Sequence, residues 1–174
     1  MMRFRPLTVE EEALAREVFL DQLPYRKIYI ADFFLPGNHG VAVTLVSGAG
    51  VLPIRSLTSF TIYFGGDVYQ RGADANANRN TFIHELTHVW QGYHSTFYWT
   101  YMVKSGIVQS MAVLRHHNRS FAYLYELDEG NPKPWRTYNV EQQGNIVRDW
   151  FVNGMREDDP RYKYISENIR QGRT

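Results

Sequence analysis

The hydrophobic positions between Arg79 and Gln91 recur with the period of a helix. Neither proline nor glycine interrupts this stretch, and its apolar residues fall at helical spacing: Phe82, Ile83, Leu86, Val89 and Trp90. The pattern predicts a helix that buries one face. A second helix is predicted over 138–153, where Asn139 is the candidate N-cap and Gly154 follows the apolar stripe.

Shorter elements are predicted before and after these two helices. One helix is expected over 8–21, where Thr8 is the candidate N-cap, and another over 160–169. Between the first helix and the Arg79 stretch, three β-prone runs are separated by turn residues rich in glycine, proline and asparagine: 26–32, 40–46 and 60–64. These runs predict a small sheet that precedes the central helix.

The remaining segments are predicted as loops or have ambiguous patterns. Loops are expected over 68–78 and 128–134, which are rich in turn residues. The segment 95–118 fits a kinked helix or a loop, and 121–127 fits a helix or a strand. We therefore expect one α+β domain over 1–174, with a small sheet packed on the central helix and a mainly helical C-terminal part.

Composition narrows the classes of function. The chain has 174 residues, a formal net charge of +1 and no cysteine. Both signs of charge are spread along the sequence, which gives no electrostatic support for nucleic-acid binding. No stretch approaches the roughly 20 apolar residues of a membrane span. The first 20 residues also lack the apolar run of a signal peptide, so we expect a cytoplasmic protein or export by a specialised secretion system.

A short motif inside the central helix carries the candidate chemistry. His84-Glu85-Leu86-Thr87-His88 is an H-E-x-x-H sequence, and positions i and i+4 lie one above the other on a helix. His84 and His88 can therefore bind one metal ion, and without cysteine any such site must use histidine and carboxylate ligands. Glu85 lies beside that face, where it can activate a zinc-bound water. The alternative is a core helix with two hydrogen-bonded histidines and no metal.

A catalytic zinc usually has three protein ligands, and two residues compete for the third position. His94 follows His84 by ten residues, a spacing that requires a sharp turn at a glycine in the place of Gln91. Glu141 lies at the start of the second predicted helix, beside polar residues. A glutamate from a separate helix is the other standard arrangement, and the position of Glu141 favours it over His94.

The sequences HELTHVWQ and YNVEQQGNIVRDWF, with TIYFGGDVY before them, resemble a bacterial family of zincin-like metallopeptidase domains. These domains occur in and beside Vgr- and Rhs-type secretion and toxin proteins, and the resemblance covers roughly Ile54 to Phe151. It implies a zincin-like fold and one Zn²⁺ per chain. It also implies the roles of four residues, with Glu85 as the base and three ligands: His84, His88 and Glu141.

One position departs from the pattern of zincins that use a glutamate ligand. Such proteins often have an aspartate four residues after that glutamate, but this chain has Asn145. An amide oxygen can accept a hydrogen bond from an imidazole but brings no charge, and Asp149 is a candidate substitute. Several residues are candidate donors to a transition-state oxyanion: Tyr162, His94, His116 and His117.

The sequence thus predicts a zinc-dependent hydrolase, a metallopeptidase that acts on a peptide or protein substrate. By analogy with related folds, the strand over 60–64 is expected to offer a free edge to an extended peptide. The alternative is a zinc-binding structural or docking module of a secretion or phage-like particle, with secretion-apparatus proteins as partners. Exchange of Glu85 for glutamine would abolish the activity of an enzyme and leave a docking module unchanged.

Overall fold

A computed structural model describes residues 3–34, 42–48, 58–65, 69–70, 76–96, 103–104, 122–127 and 132–174. Its four strands form one mixed sheet in the order β1-β2-β4-β3: β1 (Phe4–Pro6), β2 (Ile28–Ala31), β3 (Val43–Gly48) and β4 (Thr58–Tyr63). β2 and β4 are parallel, and the two outer strands are antiparallel to their neighbours. Buried side chains from the two central strands form one side of the core: Ile28, Ile30, Phe60 and Ile62.

Helix α1 (Val9–Phe19) begins with the N-cap that the sequence predicts. The Thr8 hydroxyl accepts from the Glu11 backbone N–H, and the Glu11 carboxylate accepts from the Thr8 N–H, which completes a capping box. Glu11 is buried and also binds Arg5 of β1 through both carboxylate oxygens, at 2.6 and 2.8 Å. This charged pair joins the first strand to the first helix.

Helix α2 (Asn76–His94) contains the H-E-x-x-H motif and packs against β3 and against α3 (Val140–Val152). The apolar residues that predicted α2 are completely buried. The indole N–H of Trp90 also donates to the Ile169 carbonyl at 3.0 Å. The central helix is therefore covered by the sheet, by α3 and by the C-terminal residues.

The C-terminal part is helical in the described residues. Asn139 caps α3 by accepting from the backbone N–H groups of Glu141 and Gln142, as the sequence predicts. Helix α4 (Tyr162–Glu167) follows, and a 3-10 turn then spans Ile169–Gln171.

Side-chain amides at the start of α3 hold the neighbouring segment 122–127 by its backbone. Each amide N–H group donates to a main-chain carbonyl: Asn139 to Ala122 at 3.1 Å, Asn145 to Tyr123 at 2.9 Å, and Gln142 to Leu124. We call these three bonds the amide ladder. The segment begins in a 3-10 turn and continues without strand pairing, so it is neither the helix nor the strand that its sequence suggests.

The α+β class, the sheet before the central helix and the four predicted helices are confirmed, although several bounds differ. Residues Tyr25–Lys27 form a 3-10 turn instead of the start of a strand, and the short β1 was not predicted. The prediction that the strand over 60–64 offers a free edge is wrong, because this strand is β4 and lies between β2 and β3. Most of 95–118 lies outside the described residues. No helix in the described ranges is long and apolar enough to cross a bilayer.

Candidate metal centre

The two motif histidines meet on the buried side of α2. Their ring centroids are 4.8 Å apart and the ring planes are nearly perpendicular. Both side chains are less than one-tenth exposed, and so is Glu85 between them. Potential ligand atoms of these three residues lie within 4.8 Å of one another. One turn of helix thus brings a His-Glu-His group to a single point in the core.

Glu141 enters this point from α3. Its Oε2 atom lies 3.3 Å from the Nε2 atom of His84 and 3.4 Å from the Nε2 atom of His88. Glu141 as a whole residue is only 1% exposed. Two imidazole nitrogens and one carboxylate oxygen from two helices therefore converge, which is the two-His, one-Glu arrangement that the sequence favours.

The charges in this group depend on one another. Burial alone would lower the pKa of His88, but the negative charge of Glu141 raises it to about 9. Burial would likewise raise the pKa of Glu141, but His88 and His84 hold it well below its ordinary range. The buried carboxylate thus requires a cation beside it, either a protonated imidazole or a metal ion.

The donor set fits a zinc ion. Imidazole nitrogen and carboxylate oxygen are common zinc ligands, and three of them leave a position for water. A small divalent cation would also supply the positive charge that the buried Glu141 carboxylate requires. The residues that would hold the ion are His84, His88 and Glu141.

Glu85 is held by a residue of the outer strand β3. The Thr44 hydroxyl lies 2.7 Å from the Glu85 Oε2 atom and 3.1 Å from the Glu85 carbonyl oxygen, and both residues are buried. A hydroxyl has one hydrogen to donate, and the shorter distance favours the carboxylate. Thr44 thus fixes the carboxylate of Glu85 against the edge of the sheet.

The two imidazoles have different surroundings. The Nδ1 atom of His88 lies 2.8 Å from the Gln91 Oε1 atom. The Nδ1 atom of His84 is buried and has no hydrogen-bond partner among the described residues. Its ring lies instead against Gly144, where an added Cβ would come within 2.6 Å of the His84 ring. The ring centroids of His84 and Tyr123 are 5.9 Å apart. Packing therefore fixes His84, and a hydrogen bond fixes His88.

Asn145 lies beside this group but does not bond His84 in the structure. Its Nδ2 atom donates to the Tyr123 carbonyl, and its Oδ1 atom is buried without a partner among the described residues. Asp149 accepts from the Tyr125 hydroxyl at 2.7 Å and from Arg148. Asp149 is thus bonded to Tyr125 and Arg148, and no bond to His84 or His88 is found for it among the described residues.

The other predicted donors lie elsewhere. The Nε2 atom of His94 lies 2.9 Å from the Gln22 carbonyl oxygen, and its ring packs on Trp90. The Tyr162 hydroxyl donates to Glu157, and its ring stacks on Trp150. His116 and His117 lie outside the described residues.

Sequence reasoning missed four residues at the centre: Thr44, Gln91, Tyr123 and Gly144. Two of them carried a usable signal. Gln91 lies three residues after His88, which places both on one helix face. Gly144 lies inside a strongly patterned helix, where glycine costs about 1 kcal/mol relative to alanine and therefore indicates close packing. Thr44 reaches Glu85 across 41 residues of sequence, which no local pattern predicts.

The chain is similar to one secretion protein over nearly its whole length. It is 29% identical over 176 residues to the type VI secretion system spike protein VgrG2b of Pseudomonas aeruginosa. This match covers 97% of the present chain but only 15% of the spike protein. No protein-family profile matches the chain.

A solved structure covers the same region. The effector domain of Pseudomonas aeruginosa VgrG2b superimposes with a TM-score of 0.62 at 29% identity, over 92% of this chain and 81% of that domain. Sequence and fold agree, so the two are related. The chain is a homologue of the VgrG2b effector domain.

Proposed function

We propose that this chain is a zinc-binding effector domain of a type VI secretion system, and that its zincin-like centre hydrolyses peptide bonds. The observation that carries the proposal is the position of Glu141 Oε2 within 3.4 Å of both motif imidazoles, with Glu85 beside them. The ligands would be His84, His88 and Glu141, with one zinc per chain.

The link to secretion is supported by the similarity to VgrG2b. That protein is named as a spike protein, and the matching solved structure is named as its effector domain. Other proteins of the secretion apparatus are therefore the proposed partners, and export through that apparatus is the proposed route. A peptide or protein in the receiving cell or compartment would be the substrate.

The catalytic part of the proposal is supported by the site alone. Zinc supplies a Lewis acid that polarises a carbonyl group and makes a water molecule more acidic. Glu85 takes a proton from the attacking water, and the water oxygen forms a bond to the carbonyl carbon. The same carboxyl group then gives the proton to the leaving nitrogen as the C–N bond breaks.

Thr44 supports this role by holding the base in one orientation. Its 2.7 Å bond engages Glu85 Oε2, so we assign the transfer of the proton to Oε1, which takes no part in this bond. Because Thr44 belongs to β3, which is one of the two outer strands of the described sheet, an extended peptide beside β3 would lie next to the base. β3 thus replaces β4 as the proposed edge for substrate.

A non-catalytic module is the second candidate, and the comparison with a spike protein favours it. In that case zinc would stabilise the fold, and the domain would dock onto other parts of the secretion apparatus. Zinc binding is common to both candidates, so it does not separate them. The role of Glu85 does.

The test combines metal analysis with activity in three forms of the protein. We expect about one zinc per chain in the wild type, much less in Glu141→Ala, and a normal amount in Glu85→Gln. The wild type should cleave a mixture of unstructured peptides, and Glu85→Gln should not. If neither the wild type nor Glu85→Gln cleaves the peptides and both retain zinc, the docking module would be favoured. Equal cleavage by both forms would refute the role of Glu85 as the base. A wild type that takes up no zinc would refute both.

A further inference from the structure

The hydrogen bonds around His88 continue from α2 into α3. The Nε2 atom of Gln91 donates to the Val140 carbonyl and to the Gln143 Oε1 atom, each at 2.9 Å. The Nε2 atom of Gln143 lies 3.2 Å from the carbonyl oxygens of two residues: Trp135 and Tyr138. Gln91 is 3% exposed and Gln143 is partly buried, so this chain of bonds begins in the interior and continues toward the start of α3. We call it the glutamine relay.

The backbone carbonyls decide which way each amide points. A carbonyl oxygen can only accept, so the atom of Gln91 that faces Val140 must be its NH₂ group. Its Oε1 atom therefore faces the Nδ1 atom of His88, at 2.8 Å. The same reasoning applied to Gln143 places its Oε1 atom toward Gln91.

The orientation of Gln91 then fixes the proton on His88. An amide oxygen has no hydrogen to give, so Nδ1 must carry one and donate it. The other ring nitrogen, Nε2, is then the atom that keeps its lone pair in the neutral imidazole. That atom is the one that lies 3.4 Å from Glu141.

We propose that Gln91 and Gln143 are positioning residues that hold His88 in the tautomer and orientation needed to bind the metal. The proposal rests on the metal centre described above but not on catalysis. His84 provides the contrast within the same site, because its Nδ1 atom has no such partner among the described residues. The relay also joins the helix of two ligands to the helix of the third.

The test measures zinc affinity by competition with a coloured chelator. Gln91→Met keeps the approximate size of the side chain. It removes both the oxygen that faces His88 and the NH₂ group that faces Val140 and Gln143. Its zinc dissociation constant should rise about 10- to 100-fold, the usual effect of losing a partner of a metal-binding histidine. Gln143→Met removes only the second step and should produce a smaller rise.

Thr87→Val is the matched control. Thr87 is fully buried in the same helix, and its hydroxyl bonds the Ile83 carbonyl at 3.0 Å without joining the relay. This variant loses a buried hydrogen bond of α2 and should bind zinc as the wild type does. Zinc affinity of Gln91→Met equal to that of Thr87→Val would overturn the proposal.

Nitrogen NMR of the histidine rings in the zinc-bound wild type gives a second readout, which a purely structural role would not affect. The Nδ1 proton of His88 should exchange slowly because it is hydrogen-bonded, and that protection should be lost in Gln91→Met. Zinc on the Nδ1 atom of His88 would overturn the proposal even if the variants failed to fold. A wild type that binds no zinc would instead overturn the metal centre itself.

Discussion

Gly144→Ala tests whether close packing against α3 holds the first motif histidine. A Cβ at this position would lie 2.6 Å from Cε1, 2.8 Å from Nδ1 and 3.1 Å from Nε2 of His84. The closest of these is about 0.8 Å shorter than an ordinary contact of 3.4 Å. Because the ring is buried between α2 and α3, it cannot turn into solvent, and it must shift from its present position beside Glu141.

Two opposing effects set the expected change in stability. Alanine in place of glycine inside a helix stabilises by about 1 kcal/mol. Overpacking in a well-filled core costs about 1–3 kcal/mol. We therefore expect the free energy of unfolding of the metal-free protein to fall by up to about 2 kcal/mol. The zinc dissociation constant should rise by at least about tenfold, because the displaced residue is one of the three proposed ligands.

The assay is urea unfolding of the metal-free protein together with a zinc competition titration. Val152→Ala is the control, since it changes an exposed position of the same helix that makes no part of the centre. A Gly144→Ala protein that is more stable by about 1 kcal/mol and binds zinc normally would refute the packing of His84 against Gly144.

Two further predictions concern the base and the charges of the centre. Thr44→Val should lower the free energy of unfolding by about 1.5–3 kcal/mol, the range for a hydrogen bond to a charged group, and Thr44→Ser should lower it less. Urea unfolding measures both variants. An unchanged free energy of unfolding in Thr44→Val would contradict the bond to Glu85. The pKa of His88 is raised from 6.5 to about 9 in the metal-free fold, so its stabilising effect is complete below pH 6.5 and is lost as the pH rises through 9. The pKa of Glu141 is lowered, so its contribution is present above 4.5 and is lost in acid as the carboxylate becomes protonated. Zinc must displace the proton on Nε2 of His88, so the rise in melting temperature on adding zinc should be larger near pH 8.5 than near pH 6. Thermal melts that show no such trend would contradict the proposal that His88 is a zinc ligand.

The sequence predicts those elements that depend on interactions between residues close together in the chain, and it does not predict those that depend on distant residues. α2 and α3 have apolar residues at helical spacing, and α3 also has the Asn139 N-cap. These signals are local, so the existence and approximate bounds of both helices are confirmed. β1 was missed because its three residues include a charged arginine and a proline, and its strand conformation depends on pairing with β2. The order of the sheet was not predictable either, because β3 reaches β4 through contacts that no turn pattern specifies.

The candidate centre divides in the same way. His84 and His88 follow from helix geometry, and Glu141 was favoured over His94 by its position and by a family resemblance. The contacts that orient these residues depend on how two helices and a strand pack together. A lone glutamine or threonine has too many ordinary roles for its sequence position to indicate such a contact.

The amide ladder has a consequence for how this domain can change in evolution. Side-chain amides of α3 and its N-cap donate hydrogen bonds to the main-chain carbonyls of residues 122–124. Every amino acid, including proline, has that carbonyl. The identity of an outward-facing residue there, such as the exposed Leu124, is therefore free to drift without loosening the segment. Neutral variation should therefore be concentrated at Leu124, since Ala122 is buried and the Tyr123 ring lies near His84. Asn139, Gln142 and Asn145, whose amides hold the segment, should change far more slowly.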